Sequence, residues 1–317
     1  MLELILQVTG AQSAYYAEQI QTLWSGYGEI VRIGLQGAQK ATLILKHVRP
    51  PARSLASGEG NTAFSHARKL RSYQVEMAWY RDWSRRCRSR VPACYGQRSL
   101  GIEQIILLED LDAAGFPLRK RRLIQTEIRA CLSWLAKFHA GFMGATPDGL
   151  WPQGTYWHLE TRPDELACMQ DAVLRDAAGL IDARLRACRY QTLVHGDAKP
   201  ANFCFAGDHR VAMVDFQYVG GGSGIQDVAY FLAACLKTHE YENALHQHLD
   251  NYFQELRLAL NAFDSQLDKD ALETEWRGLF PIAWTDFYRF LAGWQPQGYF
   301  DPFSQKLAER VIARLGK

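Results

Sequence analysis

Three side chains that offer oxygen to a metal or a proton lie close together in this sequence, two of them just after an apolar run. Leu193-Val194-His195-Gly196-Asp197-Ala198-Lys199-Pro200-Ala201-Asn202-Phe203 is followed by Val211-Ala212-Met213-Val214-Asp215-Phe216-Gln217. Two short apolar runs each deliver an acid at a turn, and Asn202 follows Asp197 by five positions. Phosphoryl transfer needs such a set: a carboxylate that orients the attacking hydroxyl and accepts its proton, and oxygen ligands that hold magnesium on a triphosphate. Asp197 suits the first role, and Asn202 and Asp215 suit the second. Asp, Asn, Gly and Pro also favour ordinary surface turns. Chance supplies any one of them easily, but the full string plus a second acid after an apolar run is far rarer.

The order H-x-D-x-K-P-x-N, then Asp-Phe at a strand end, resembles the protein-kinase-like fold. The His195-Gly196-Asp197 form is similar to the aminoglycoside phosphotransferase and choline kinase branch, and with Lys199 it makes up the candidate catalytic set. Leu135-Ala136-Lys137-Phe138-His139-Ala140 resembles the L-A-x-L-H motif of small-molecule kinases, with Phe138 in place of the usual leucine. Arg71-Ser72-Tyr73 ahead of Glu76, and Glu109-Asp110-Leu111, bring the resemblance closest to the ecdysteroid-kinase-like group. It runs from about residue 21 to residue 294 and implies ATP and Mg2+ as cofactors.

The same resemblance implies further parts. A strand lysine should meet the phosphates and a helix carboxylate should position it. Lys46 interrupts the apolar run of residues 41–48, and Glu76 lies on the first long helical stretch after it. An edge-strand lysine and an exposed helical glutamate are the bland alternatives. Gly26 and Gly28 stand where backbone amides would cover the phosphates, although ordinary hairpins use such glycines too and residues 34–37 offer a competing turn. Glu109 and Leu111 would present backbone to the adenine edge. Asp227 would brace the catalytic loop or simply cap the next helix.

Only twelve positions separate Asp215 from Asp227 and no Ala-Pro-Glu follows, which leaves little room for a peptide-docking segment. The expected acceptor is therefore a small-molecule alcohol, choline-, aminoglycoside- or sterol-like. Its pocket would draw on Tyr156, Trp157, Trp284, Asp286 and Tyr288, where aromatic walls with an acid could hold a cation or form an apolar slot. A non-catalytic nucleotide-binding pseudokinase and a Ser/Thr protein kinase remain as alternatives.

These residues must be carried by two kinds of structure. Residues 21–48 read as strands broken by glycine turns, at 21–25, 30–35 and 41–48. An exposed loop is expected over 50–61, a helix over 63–86 and a strand pair around 93–96 and 103–109. Long amphipathic helices are expected at 123–142, 163–187, 225–236, 241–262 and 269–292. The fold class is therefore α+β and bilobal: a small β-rich N-lobe over residues 1–111 and a larger, mainly helical C-lobe over 112–317.

Composition agrees with an ordinary globular enzyme. The 317 residues suffice for two cooperating lobes. The 36 basic residues nearly match 34 acidic ones, against a dedicated nucleic-acid binder. Glu3 in the first apolar run and the absence of an 18-residue apolar stretch speak against a signal peptide and a membrane span, so a cytoplasmic location is expected. Seven scattered cysteines without a C-x-x-C pair suggest reduced core residues.

Overall fold

A computed structural model of the chain describes residues 1–51 and 63–316, so the loop expected over 50–61 lies almost wholly outside the described residues. The chain opens on helix α1 (Leu2–Thr9), ended by Gly10 at φ 67. This helix lay outside the expected elements: at eight residues it is too short for the polar pair Glu3 and Gln7, four apart, to mark a period. Strand β1 (Ser13–Thr22) comes next. The first strand was expected at 21–25, but β1 runs earlier and ends at Thr22, and a 3-10 turn over Trp24–Gly26 follows. Strand β1 is exposed along nearly its whole length at a sheet edge, so it lacks the alternation that marks a half-buried strand.

Strands β2 (Gly28–Gln36) and β3 (Thr42–Val48), helix α2 (Ala63–Ala78), and strands β4 (Cys94–Leu100) and β5 (Glu103–Glu109) follow. A π-turn over Trp79–Trp83 extends α2. The five strands form one antiparallel sheet in the order β1-β2-β3-β5-β4. Because side chains alternate along a strand, Leu43 and Leu45 of β3 join Val31, Ile33, Ile105 and Leu107 in one core. Val48, of opposite parity, packs with Leu23, Tyr27 and Tyr73 on the other face. Lys46 shares the parity of Val48 and so faces helix α2.

After β6 (Leu118–Arg119) come helices α3 (Gln125–Gly141), α4 (Pro163–Cys168) and α5 (Ala172–Arg186). The single helix expected over 163–187 is thus two, with Asp171 capping the second through the Leu174 N–H. Short strands β7 (Thr192–Val194), β8 (Phe203–Phe205), β9 (Val211–Met213) and β10 (Gly220–Gly222) make up the strand-rich island. Helices α6 (Ile225–Cys235), α7 (Tyr241–Ala262), α8 (Lys269–Trp294) and α9 (Pro302–Leu315) complete the chain. Helix α9, which the sequence reading did not include, starts on Asp301 as cap with Pro302 at its first position.

Two compact units result: Met1–Arg119 with Cys204–Gln217, and Lys120–Phe203 with Tyr218–Lys317. Strand pairing explains why the Asp215 segment joins the first. Leu118 and Arg119 of β6 pair with Phe205 and Cys204 of β8, and the Met213 N–H donates to the Arg90 carbonyl. Among the described residues, no helix is long and apolar enough to cross a membrane.

Candidate active site

In the second unit, Asp197 sits on a tight loop after β7 and is nearly buried at 7% exposure. Gly196 before it has φ 81, and a Cβ there would stand 2.2 Å from the Tyr218 carbonyl oxygen. Only glycine fits that turn. Oδ2 of Asp197 accepts from Lys199 Nζ at 2.8 Å and from Asn202 Nδ2 at 3.0 Å. Asn202 Nδ2 also donates to the Asp197 backbone carbonyl at 2.8 Å, which turns the amide oxygen away from the loop. His195 is fully buried, and its Nδ1 accepts the Asp197 N–H at 3.2 Å.

Asp227, on the first turn of α6, grips the same loop. Its carboxylate accepts the N–H groups of His195 at 2.6 Å and Gly196 at 2.9 Å. His139 of α3 reaches it through Nε2 at 3.1 Å, while its Nδ1 meets the Tyr252 hydroxyl at 2.8 Å. Sequence reading quoted His139 within a motif but gave it no role. One turn further along α6, the Tyr230 hydroxyl donates to Asp197 Oδ1 at 3.1 Å. This contact was missed, and the signal that could have found it is the i, i+3 spacing of Asp227 and Tyr230, which puts both on one helix face.

In the first unit, Lys46 Nζ lies 2.5 Å from Glu76 Oε2 and 3.7 Å from Asp215 Oδ1. Burial works against the lysine's charge, but Glu76 and Asp215 outweigh it and hold the ammonium above its usual range. Burial raises Glu76, with Lys46 opposing, and the carboxylate also takes the Phe216 backbone N–H. Phe216 stacks on Trp79 with ring centroids 4.3 Å apart. Asp215 itself has φ 70, a left-handed conformation uncommon outside glycine. Its Oδ1 is buried without a hydrogen-bond partner among the described residues.

Glycines 26 and 28 do form a turn, at φ 73 and φ 130. The Gly26 N–H donates to the Leu23 carbonyl, however, and the Tyr27 N–H to that of Trp24. Gly28 is required by crowding, since a Cβ would stand 2.0 Å from the His47 carbonyl oxygen. At the end of β5, the Glu109 carboxylate is held by both terminal nitrogens of Arg90 at 2.8 Å, and its N–H donates to the Ala93 carbonyl. The Leu111 carbonyl takes the Phe116 N–H.

The aromatic residues of the second unit divide into two groups. Tyr156 is half-buried beside the Asp197 loop, with its N–H on the Gly196 carbonyl at 2.9 Å. Its ring meets Tyr230, Phe290 and Trp157 at 5.5, 5.3 and 5.2 Å. Trp157 is fully buried and donates to Asp286 Oδ2 at 3.0 Å, while Asp286 Oδ1 takes Arg289 at 2.8 Å. Trp284 donates to Ser304 Oγ at 2.8 Å, and Tyr288 packs among Met169, Leu174 and Ala308. Trp284 and Tyr288 thus serve the packing of α8 against its neighbours.

A family model described as ecdysteroid kinase-like matches residues 64–145 and 155–264, more than half of the chain. No curated protein matches in sequence. Among solved structures, a microcompartment-associated aminopropanol kinase superposes with a TM-score of 0.55 at 14% identity, covering 95% of this chain and 89% of its own. An amicoumacin kinase in complex with AMP-PNP and Ca2+ gives 0.52 at 11% identity, with the same 95% and 89% coverage. An aminoglycoside phosphotransferase in a ternary complex with ADP and hygromycin B gives 0.50 at 11% identity, covering 100% and 98%. At these identities the likeness is one of fold.

Proposed function

The chain belongs to the ecdysteroid kinase-like family, and from that premise we propose that it is an ATP-dependent phosphotransferase acting on the hydroxyl of a small molecule. The observation that carries the proposal is the environment of Asp197, a buried carboxylate fixed by Lys199, Asn202 and the Asp227 brace. Asp197 takes the proton of the acceptor hydroxyl as its oxygen bonds to the γ-phosphorus, and the bond from that phosphorus to the β,γ-bridging oxygen breaks to release ADP. Lys46, positioned by Glu76, is assigned to the nucleotide phosphates.

Asn202 and Asp215 are the assigned magnesium ligands. The buried Oδ1 of Asp215, which accepts no hydrogen bond among the described residues and has the Lys46 ammonium 3.7 Å away, fits a cation, since a buried carboxylate oxygen short of donors carries a desolvation cost that a metal would remove. Bound magnesium would neutralise charge on the triphosphate. Tyr156 is the assigned wall of the acceptor site. Asp286, the acid that could have met a cationic acceptor, is already matched by Arg289 and Trp157, which favours an uncharged alcohol.

A non-catalytic pseudokinase is disfavoured because Lys46, Asp197, Lys199, Asn202 and Asp215 are all present. Millimolar MgATP should raise the melting temperature of the wild type, and Asp215→Ala should abolish that shift. Asp197→Asn should keep the shift but lose phosphoryl transfer, scored against a library of small alcohols. An unchanged melting temperature, or turnover indifferent to Asp197→Asn, would sink the proposal.

A further inference from the structure

Helix α6 makes two separate attachments to the catalytic loop. Asp227 holds the loop's backbone at His195 and Gly196, whereas Tyr230, three residues on, reaches the carboxylate of Asp197 itself. The tyrosine is 5% exposed, and its ring is wedged against Trp157 at 4.9 Å and Phe287 at 4.7 Å. Ring packing therefore fixes where its hydroxyl points. The ring of Tyr156 packs against that of Tyr230 at 5.5 Å.

We infer that Tyr230 is a positioning residue for phosphoryl transfer, donating its hydroxyl hydrogen to Asp197 Oδ1 so that the carboxylate is held in the orientation of a base. The inference rests on Asp197 being that base. Three observations support it. Lys199 and Asn202 approach Asp197 through Oδ2, whereas Tyr230 approaches through Oδ1, so rotation about the Cβ–Cγ bond is opposed from both sides. Burial, with Asp197 alongside, pushes the Tyr230 phenol well above its usual range, so it stays a donor throughout the working pH. Tyr230 lies three residues past Asp227 on α6, so the helix that holds the loop's backbone also carries the donor to its carboxylate.

Removal of the donor has a consequence that mere loss of packing would not have. The turnover number should fall, by roughly ten- to a hundred-fold for the loss of one hydrogen bond to a charged, oriented group, while the KM for MgATP stays put.

The test uses the full chain and MgATP hydrolysis with water as acceptor for wild type, Tyr230→Phe and Asp197→Asn. The expected result is no Asp197→Asn activity and a Tyr230→Phe turnover roughly ten- to a hundred-fold lower with the KM for MgATP unchanged. Wild-type turnover in Tyr230→Phe, or a loss carried by KM, would overturn the inference while leaving Asp197 as base. Hydrolysis that survives Asp197→Asn, or a wild type with none, would instead remove the premise. If Tyr230→Phe does not fold, Tyr230→Gln and Tyr230→Met offer similar volumes with and without a donor. Lower turnover in the methionine variant than in the glutamine variant supports the inference, and matching turnover overturns it.

Discussion

At the scale of single residues, the buried pair Lys46–Glu76 separates what stability requires from what activity requires. Both side chains are nearly inaccessible, at 4% and 2% exposure, and such pairs often gain little over a well-packed apolar substitute, whereas breaking one leaves a buried charge alone. Lys46→Met should therefore cost about 3–5 kcal/mol in chemical denaturation and abolish turnover. Lys46→Met combined with Glu76→Leu should recover most of the stability and none of the turnover. A double variant as unstable as the single one would show that the carboxylate's other contact, to the Phe216 backbone, matters more than its charge. Lys46 was legible because a lysine inside an apolar strand needs a partner. Tyr230 was not, since its i, i+3 spacing from Asp227 puts it on the same helix face but does not tell which carboxylate its hydroxyl meets. Trp284 and Tyr288 show the converse: aromatic residues that suggested a pocket are held by Ser304 and by the α8–α9 core.

Elements were legible where periodicity was clean or the run was long. Helices α6, α7 and α8 lie within a few residues of expectation: α7 presents one buried stripe, whereas α6 and α8 are buried all round over residues 225–232 and 283–290, where the length of the run marks the helix. Strand β1 and helix α1 were not seen, one being exposed almost throughout and the other only eight residues long. The island from β7 to β10 was found through its turn residues, and its geometry makes those residues indispensable. Gly196→Ala tests this at the level of the loop. The substitution forces a side chain into φ 81 and drives its Cβ against the Tyr218 carbonyl and the Thr155 amide, at 2.2 and 2.6 Å. Neither neighbour is a flexible side-chain end, so the loop must shift. A loss of roughly 2 kcal/mol or more is expected by denaturation, with turnover falling further than that loss explains, because Asp197 is displaced with its neighbour. Wild-type turnover in a folded Gly196→Ala protein would show that the loop tolerates a different path.

Across the whole molecule, the response to acid should come in two windows, because its perturbed groups fall into two classes. His248 on α7 is 1% exposed, with both ring nitrogens lacking a hydrogen-bond partner among the described residues. Burial, reinforced by Arg129 against Glu240, holds its pKa below the usual histidine value, and burial does the same for His158 against the pull of Asp182. Above about pH 6.5 these histidines are neutral whether folded or not. As pH falls through that value the unfolded chain takes protons that the folded chain refuses, so stability declines, by at most about 1.4 kcal/mol per pH unit for each group. Glu109 and Asp110 belong to the second class. Burial would raise both, but Arg90 and the Ala93 amide outweigh it at Glu109, as Thr42 and Arg32 do at Asp110, so each sits below the usual carboxylate range. Their contribution is complete above about pH 4 and is lost only as pH falls through their depressed values. Glu76 and Asp182, raised by burial, gain stability as pH falls from their raised values to about 4 and so oppose part of the earlier decline. Both histidines lie in the second unit and Glu109 and Asp110 in the first, so the early window should report on the second unit. Melting temperature followed from pH 8 to 3 should fall first between about 7 and 5.5, and His248→Leu should flatten that segment while leaving the fall below pH 4 intact. An early segment unchanged in His248→Leu would mean that the folded protein protonates His248 freely, which its burial without a partner argues against.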